Sequence, residues 1–286
     1  TKTVSEHKLV PQYLDRMDLE KEHGITIKMQ PVQMKYQDCI LNLIDTPGHV
    51  DFTYEVSRAL AAVEGAVLLV DGTQGIQAQT LSNLALAQQQ GIKIIGAINK
   101  IDIDIFDLDV KKKELADLLK IDEKEIVLLS AKTGENVEFL LQKIISEIPS
   151  PKTKDEKPFR ALIFDSHYDP YKGIIAYLRV VEGEISKNDK LYFVASQVKG
   201  EVLDLGYFAP QLESKEKLKS GEIGWIATGL KDLNLVRVGD TVAKSKAEPL
   251  PGYEEPKPMV FAGFYMAKGK KDLTLGKGEQ DFEYFR

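Results

Sequence analysis

The sequence predicts an α/β domain with a mostly parallel sheet, followed by an all-β barrel and the start of an α+β third domain. Three observations predict it. Up to about residue 150, short apolar runs alternate with stretches of helical periodicity. From residue 159 onward, strand-like segments follow one another with only turns between them. Two polar segments containing proline, 150–158 and 249–258, punctuate the change. The expected boundaries are 1–149, 157–248 and 256–286.

In the first part, 39–44 (CILNLI), 66–70 (AVLLV), 92–98 (IKIIGAI) and 125–129 (EIVLL) read as buried strands. Between and after them, 51–64, 77–90, 108–119 and 136–148 space their apolar residues as helices do. Residues 28–36 alternate like a strand and end just before 39–44, which predicts an antiparallel hairpin at one edge of the sheet. In the second part the strands are 159–165, 173–181, 190–195, 201–208 and 222–229, and 259–265 opens the third domain. Residues 268–286 are polar and rich in Gly and Lys, without a period.

Composition excludes several classes. Of the 286 residues, 43% are hydrophobic and 29% charged, which is globular rather than disordered. No apolar run reaches the ~18 residues of a membrane span. The single cysteine, Cys39, rules out an internal disulfide or a cysteine-built zinc site, and reads as a core residue. The net charge of −6 argues against a uniformly basic nucleic-acid coat. Residues 1–150 hold 16 Lys/Arg against 23 Asp/Glu, so the acidity lies in the first part. Lys111–Lys113 read as a solvated helix face, and Trp225 as packing.

Three short motifs each follow a buried strand, at the carboxyl end of the sheet where open α/β folds bind ligands. In the first, Asp45-Thr46-Pro47-Gly48-His49, a carboxylate can hold Mg²⁺, a glycine lets backbone N–H approach a phosphate oxygen, and an imidazole can orient a water. In Asn99-Lys100-Ile101-Asp102, a short carboxylate can accept two parallel N–H bonds from a guanine edge while the Lys stem lies along the purine. In Ser130-Ala131-Lys132, small residues let backbone N–H groups reach the guanine carbonyl. Each motif alone also has a reading as ordinary structure: a proline turn with a solvent-facing His, a helix N-cap at Asp102, a strand-to-helix loop. Their order, each at a strand end, favours the nucleotide reading of the set.

With DTPGH, NKID and SAK in that order, the sequence resembles the translational GTPases. Within them it is most similar to the LepA (elongation factor 4) family, on 17–27 (MDLEKEHGITI), 45–58 (DTPGHVDFTYEVSR), 73–80 (TQGIQAQT) and 221–231 (GEIGWIATGLK). The similarity runs over nearly all of 11–265.

The resemblance implies a G domain of the P-loop NTPase type that hydrolyses GTP to GDP with Mg²⁺ as cofactor. Thr26 and Asp45 would ligate the metal, Gly48 would contact the γ-phosphate, and His49 would position the attacking water. Asn99, Lys100 and Asp102 would read the base, supported by Ser130, Ala131 and Lys132. The implied partners are the ribosome, through its rRNA and proteins, and tRNA, with remodelling or reversal of translocation as the task. A monomer is expected, in the cytoplasm, with peripheral membrane association implied and a mitochondrial matrix location left open. The alternatives are a GTPase of the elongation factor G or BipA type, against which TQGIQAQT speaks, or a ribosome-binding module that does not hydrolyse nucleotide.

Departures from the family pattern bear on that choice. No G-x-x-x-x-G-K-[ST] string occurs. The expectation is therefore a chain whose phosphate-cradling loop lies upstream of Thr1 and which is inactive by itself. His23 stands where the family has Arg.

Overall fold

The computed structural model describes residues 13–15, 17–209 and 211–250. The expected third domain lies outside them.

The α/β part begins with helix α1 (Asp18–His23), which Gly24 ends in the left-handed conformation at φ 67°. Strands β1 (Gln30–Tyr36) and β2 (Cys39–Asp45) pair antiparallel through a two-residue turn. Then follow α2 (Thr53–Leu60), β3 (Gly65–Asp71), α3 (Ala78–Gln89), β4 (Lys93–Asn99), α4 (Leu108–Leu119), β5 (Val127–Leu128) and α5 (Val137–Glu147). Strands β3, β4 and β5 form a parallel sheet in that order. Period-2 alternation sends Ile98 to the α4 face, where Leu115 and Ala116 pack, and Ile95 and Ala97 to the α5 face against Leu140 and Ile144. Gly96 lets α4 come close: a Cβ there would lie 2.6 Å from Leu119 Cδ1.

Three expectations need correction. The hairpin is not the edge of the parallel sheet. It is a sheet of its own, and among the described residues β3 has a strand partner only in β4. Leu43 of β2 and Leu69 of β3 are accordingly 43% and 52% exposed. The run 125–129 keeps only two strand residues, because Asp122 caps a 3₁₀ turn over Glu123–Glu125. Cys39 is half-buried at the hairpin turn, outside the core.

The β part consists of β6 (Arg160–Asp169), β7 (Gly173–Glu182), β8 (Glu184–Ser186), β9 (Lys190–Phe193), β10 (Val198–Glu201), β11 (Asp204–Ala209), β12 (Gln211–Ser214), β13 (Lys217–Lys219), β14 (Ile223–Ala227) and β15 (Thr241–Ala243). Eight strands make one antiparallel sheet in the order β10-β9-β15-β6-β7-β14-β11-β12, and β13 pairs with β8. The sheet curls around one apolar cluster that draws Ile163, Leu178, Phe193, Leu205 and Val242 from strands throughout the order, with Ile185 added from β8, as a barrel does. The expected strand 201–208 is broken, because Val202 and Leu203 leave the β10 ladder to donate to Asp189 and Ala227 carbonyls.

Strand β7 is buried on both faces. Ile174, Ala176, Leu178 and Val180 point into the barrel, while Ile175 and Tyr177 point out against a second cluster. That cluster combines Phe164, Phe208 and Trp225 of the barrel with Met29, Ala59 and Ala62 of the α/β part. Trp225 is fully buried there, its indole N–H donating to the Tyr207 carbonyl at 3.1 Å. Burying such side chains is worth roughly 1.5–3 kcal/mol each, so this interface fixes the two parts together. Among the described residues no helix is long and apolar enough to cross a membrane.

Candidate functional site

The three motifs converge at one end of the α/β part, and backbone hydrogen bonds tie two of them into one loop cluster. Strand β4 ends at Asn99, whose carbonyl accepts from Gly72 N–H at 2.9 Å. Its side-chain oxygen accepts from Lys100 N–H at 2.8 Å and from Ala131 N–H at 2.9 Å. Asn99 thus fastens the second motif to the third. Lys100 is held at φ 71°, a left-handed conformation uncommon for a residue with a side chain, and its ammonium lies 2.7 Å from Asp71. Burial pushes the Asp71 carboxyl up, but hydrogen bonds from Lys100 and Thr73 outweigh it and hold the group below the usual range.

Asp102 accepts the Ser130 hydroxyl at 2.6 Å. That bond is the main reason its carboxyl lies below the ordinary aspartate range, so it is an acceptor at neutral pH. Ser130 itself is fully buried, and its Oγ also accepts from Thr133 N–H at 3.2 Å. Lys132 is 84% exposed and approaches Asp102 only to 3.9 Å. Lys111, expected in a solvated face, instead donates to the Gly72 carbonyl at 3.0 Å and pairs with Asp107, steadying the loop after β3.

The first motif builds the other side. Asp45 ends β2, and burial pushes its carboxyl up to about 6, assisted by the negative charges of Asp15 and Glu20. The Thr26 hydroxyl donates to Asp15 at 3.0 Å, so Asp15 joins Thr26 to Asp45. Sequence reading missed Asp15, since nothing in its spacing marks it. Glu20 caps α1 through Met17 N–H and also accepts from Ile27 and Lys28 N–H, both at 3.0 Å, fixing the backbone beyond Thr26.

Among the described residues no group of three or more His, Cys, Asp or Glu could hold a metal ion. The donor set still suits Mg²⁺, which takes one or two protein oxygens and completes its shell with water and phosphate. The Thr26 hydroxyl and the Asp15 and Asp45 carboxylates supply hard oxygens of that kind.

Gly48 accepts from Asn83 through its carbonyl, and a Cβ on it would meet nothing within 4 Å. It opens on a cleft of about 180 Å³ walled also by Leu68–Asp71, Gln74, Gly75 and Thr80. His49 caps the 3₁₀ turn Val50–Phe52, its Nδ1 accepting from Asp51 N–H at 3.3 Å. The ring is half exposed, and the bond leaves Nε2 as the atom free to meet a ligand or water.

Residues 1–150 match the family model described as the elongation factor Tu GTP binding domain. The chain is 49% identical over 269 residues to elongation factor 4 of Mycoplasma mobile, covering 93% of this chain and 45% of that protein. It is 50% identical to elongation factor 4 of Mycoplasmopsis pulmonis, covering 94% and 46%. It therefore spans a little under half the length of these relatives. Among solved structures, a bacterial selenocysteine-specific elongation factor superposes with a TM-score of 0.68 at 26% identity, over 80% of this chain and 40% of that one. Elongation factor SelB of Methanococcus maripaludis, in complex with a GTP analogue, gives 0.65 at 22% identity, over 76% and 49%, and shares the fold.

Proposed function

The chain belongs to the family of the elongation factor Tu GTP binding domain, and from that premise we propose that it is the nucleotide-reading part and adjoining barrel of a ribosome-associated GTPase of the elongation factor 4 type. The observation that carries this reading is the convergence of Asn99, Asp102 and Ser130, joined by side-chain bonds across the sequence. Asp102 is an ionised acceptor, and a guanine edge presents two N–H donors to it. Adenine presents no such pair and would leave the carboxylate unmatched. The Lys100 stem would lie along the purine, and Ala131, with Lys132 beside it, would share or release toward the base carbonyl the N–H it gives to Asn99 in this structure.

On the phosphate side, Thr26 and Asp45 would hold Mg²⁺, which when bound neutralises charge on the phosphate oxygens. Gly48 N–H would contact the γ-phosphate, with no side chain to obstruct it. His49 would orient the attacking water through Nε2. The product is GDP, and segments 24–28 and 45–51 would switch between the two nucleotide states. The ribosome and tRNA enter as partners through similarity to elongation factor 4, with remodelling or reversal of translocation as the task. Peripheral membrane association rests on the resemblance alone.

The test is single-turnover hydrolysis of GTP and ATP by the full-length protein, with and without ribosomes. Ribosome-stimulated hydrolysis of GTP and not ATP is expected, and no hydrolysis of either would overturn the reading. A second reading, a ribosome-binding module without turnover, is favoured for the 286-residue chain by its lack of G-x-x-x-x-G-K-[ST]. Calorimetric titration separates the two: this chain should bind GTP weakly or undetectably, and sub-micromolar affinity would contradict that.

A further inference from the structure

We propose that Asp165, although it belongs to the barrel, is a positioning residue for the nucleotide site, holding the segment beyond Thr26 and the helix beyond His49 on one carboxylate. The placement begins with an irregularity in β6. Its register with β7 shifts between Ile163, which pairs with Leu178, and Asp165, which pairs with Tyr177. Phe164 is the extra residue of a β-bulge. Ala161 and Ile163 point into the barrel, so strict alternation would send Asp165 inward with them. The bulge returns it to the outer face beside Tyr177, where it is 2% exposed and meets the α/β part.

Two cations reach it there. Arg58 of α2, itself 6% exposed, donates from Nη1 to Oδ1 at 3.2 Å. The Lys28 ammonium lies 3.2 Å from Oδ2. Glu55 completes the set by pairing with Arg58 and accepting from Met29 N–H at 3.3 Å. The four formal charges cancel, which offsets part of the cost of burying them, although Arg58 Nε and Asp165 Oδ2 are buried without a hydrogen bond. Arg58 also lies over the Tyr54 ring at 4.5 Å. At the far end of α2, Arg179 of β7 donates to the Ala62 carbonyl at 2.8 Å and pairs with Glu64, so the helix is tied to the barrel twice.

The consequence is geometric. Lys28 lies two residues from Thr26, and α2 starts four residues after His49. Neither segment can shift against the other without stretching a bond to Asp165. None of Asn99, Asp102 and Ser130 bonds to the cluster, so base reading should be independent of it. Asp165 thus acts on the hydrolytic side of the site, through Lys28 and Arg58.

The kinetic arm of the test rests on the GTPase reading, and the exchange arm does not. In the full-length protein, Asp165→Asn, Asp165→Glu and Lys28→Met are compared with wild type. The measurements are GDP affinity, ribosome-stimulated single-turnover hydrolysis, and amide hydrogen exchange with a non-hydrolysable GTP analogue. Asp165→Asn should leave GDP affinity within about threefold and slow hydrolysis tenfold or more. It should speed exchange at residues 25–29 and 53–60 while leaving β3–β5 unchanged, and Asp165→Glu should recover part of the rate. Equal protection and an unchanged rate would overturn the proposal. So would faster exchange throughout the chain with an unchanged rate per folded molecule, the signature of a purely structural role. Should Asp165→Asn not fold, Lys28→Met, which keeps the Arg58 pair, decides on the same readouts. A wild type that does not hydrolyse GTP overturns the function instead, and exchange alone then judges Asp165.

Discussion

Ser130 and Asp102 lie 28 positions apart and share a hydrogen bond of 2.6 Å. The bond gives Asp102 a fixed direction, because one oxygen is committed to the protein while lone pairs remain for a ligand. Ser130→Ala removes that restraint without adding bulk. Guanine nucleotide affinity should fall by about three- to tenfold, the ordinary net worth of one hydrogen bond. Fluorescent-GDP titration of the full-length variant measures it, and an unchanged affinity would mean that Asp102 is oriented some other way.

Asp102→Asn tests the base itself. An amide nitrogen in place of one oxygen opposes a guanine donor with another donor. GTP binding should weaken by on the order of 10²-fold or more, while xanthosine triphosphate, which offers an acceptor there, should gain. Side-by-side titration of the two nucleotides is the measurement. A retained preference for GTP removes Asp102 from the role.

His49 has a local structural duty as well as a proposed catalytic one, and one variant separates them. Asn is a good N-cap, so His49→Asn keeps an acceptor for Asp51 N–H. If Nε2 orients water, His49→Asn and His49→Ala should both slow ribosome-stimulated hydrolysis by roughly 10²–10⁴-fold with nucleotide affinity nearly unchanged. A cap-only histidine predicts that His49→Asn is near wild type in single-turnover rate.

Glu182 sets a pH dependence of stability. It is 3% exposed and faces Arg160, Lys154 and Lys157. Burial pushes its carboxyl up, but Arg160 and Lys154 outweigh this and the group is held below the usual glutamate range. A depressed folded-state pKa gives stability that is complete above the unfolded value of about 4.3 and is lost as pH falls through the folded one. Thermal midpoints should therefore drop from pH 5 toward pH 3. Glu182→Gln should be less stable at pH 7 and show a shallower drop, and identical slopes for the two proteins would refute the assignment.

Gly96→Ala probes the packing under β4. The added methyl would lie 2.6 Å from Leu119 Cδ1 and 2.7 Å from Ile126 Cδ1, so both side chains must shift to make room. Overpacking of this kind costs about 1–3 kcal/mol. Denaturant unfolding should show it as a lower midpoint with an unchanged slope.

The parallel strands and their helices were legible because short apolar runs such as 92–98 differ clearly from the 3.6-residue spacing of 108–119. The short strands Glu184–Ser186, Lys217–Lys219 and Thr241–Ala243 were not, since three residues carry no period. Strand β7 read simply as a strand, and the burial of both its faces is visible only in three dimensions: one face fills the barrel and the other meets the α/β part. The base-side residues stood out as strings next to strands. Asp15 and Asp165 did not, because each acts through partners distant in sequence. An aspartate directly after the apolar run of β6 was nevertheless a signal that could have been noticed.

The unequal use of β3 bears on how the chain behaves in a test tube. Among the described residues it is laddered on one side only, with Leu69 half turned to water. Amide and carbonyl groups along the other side form a ready template on which a second molecule can lay a strand. Concentrated samples should therefore scatter more light with time. The drift should slow in Leu69→Lys, which places a charge where an incoming strand would have to bury it.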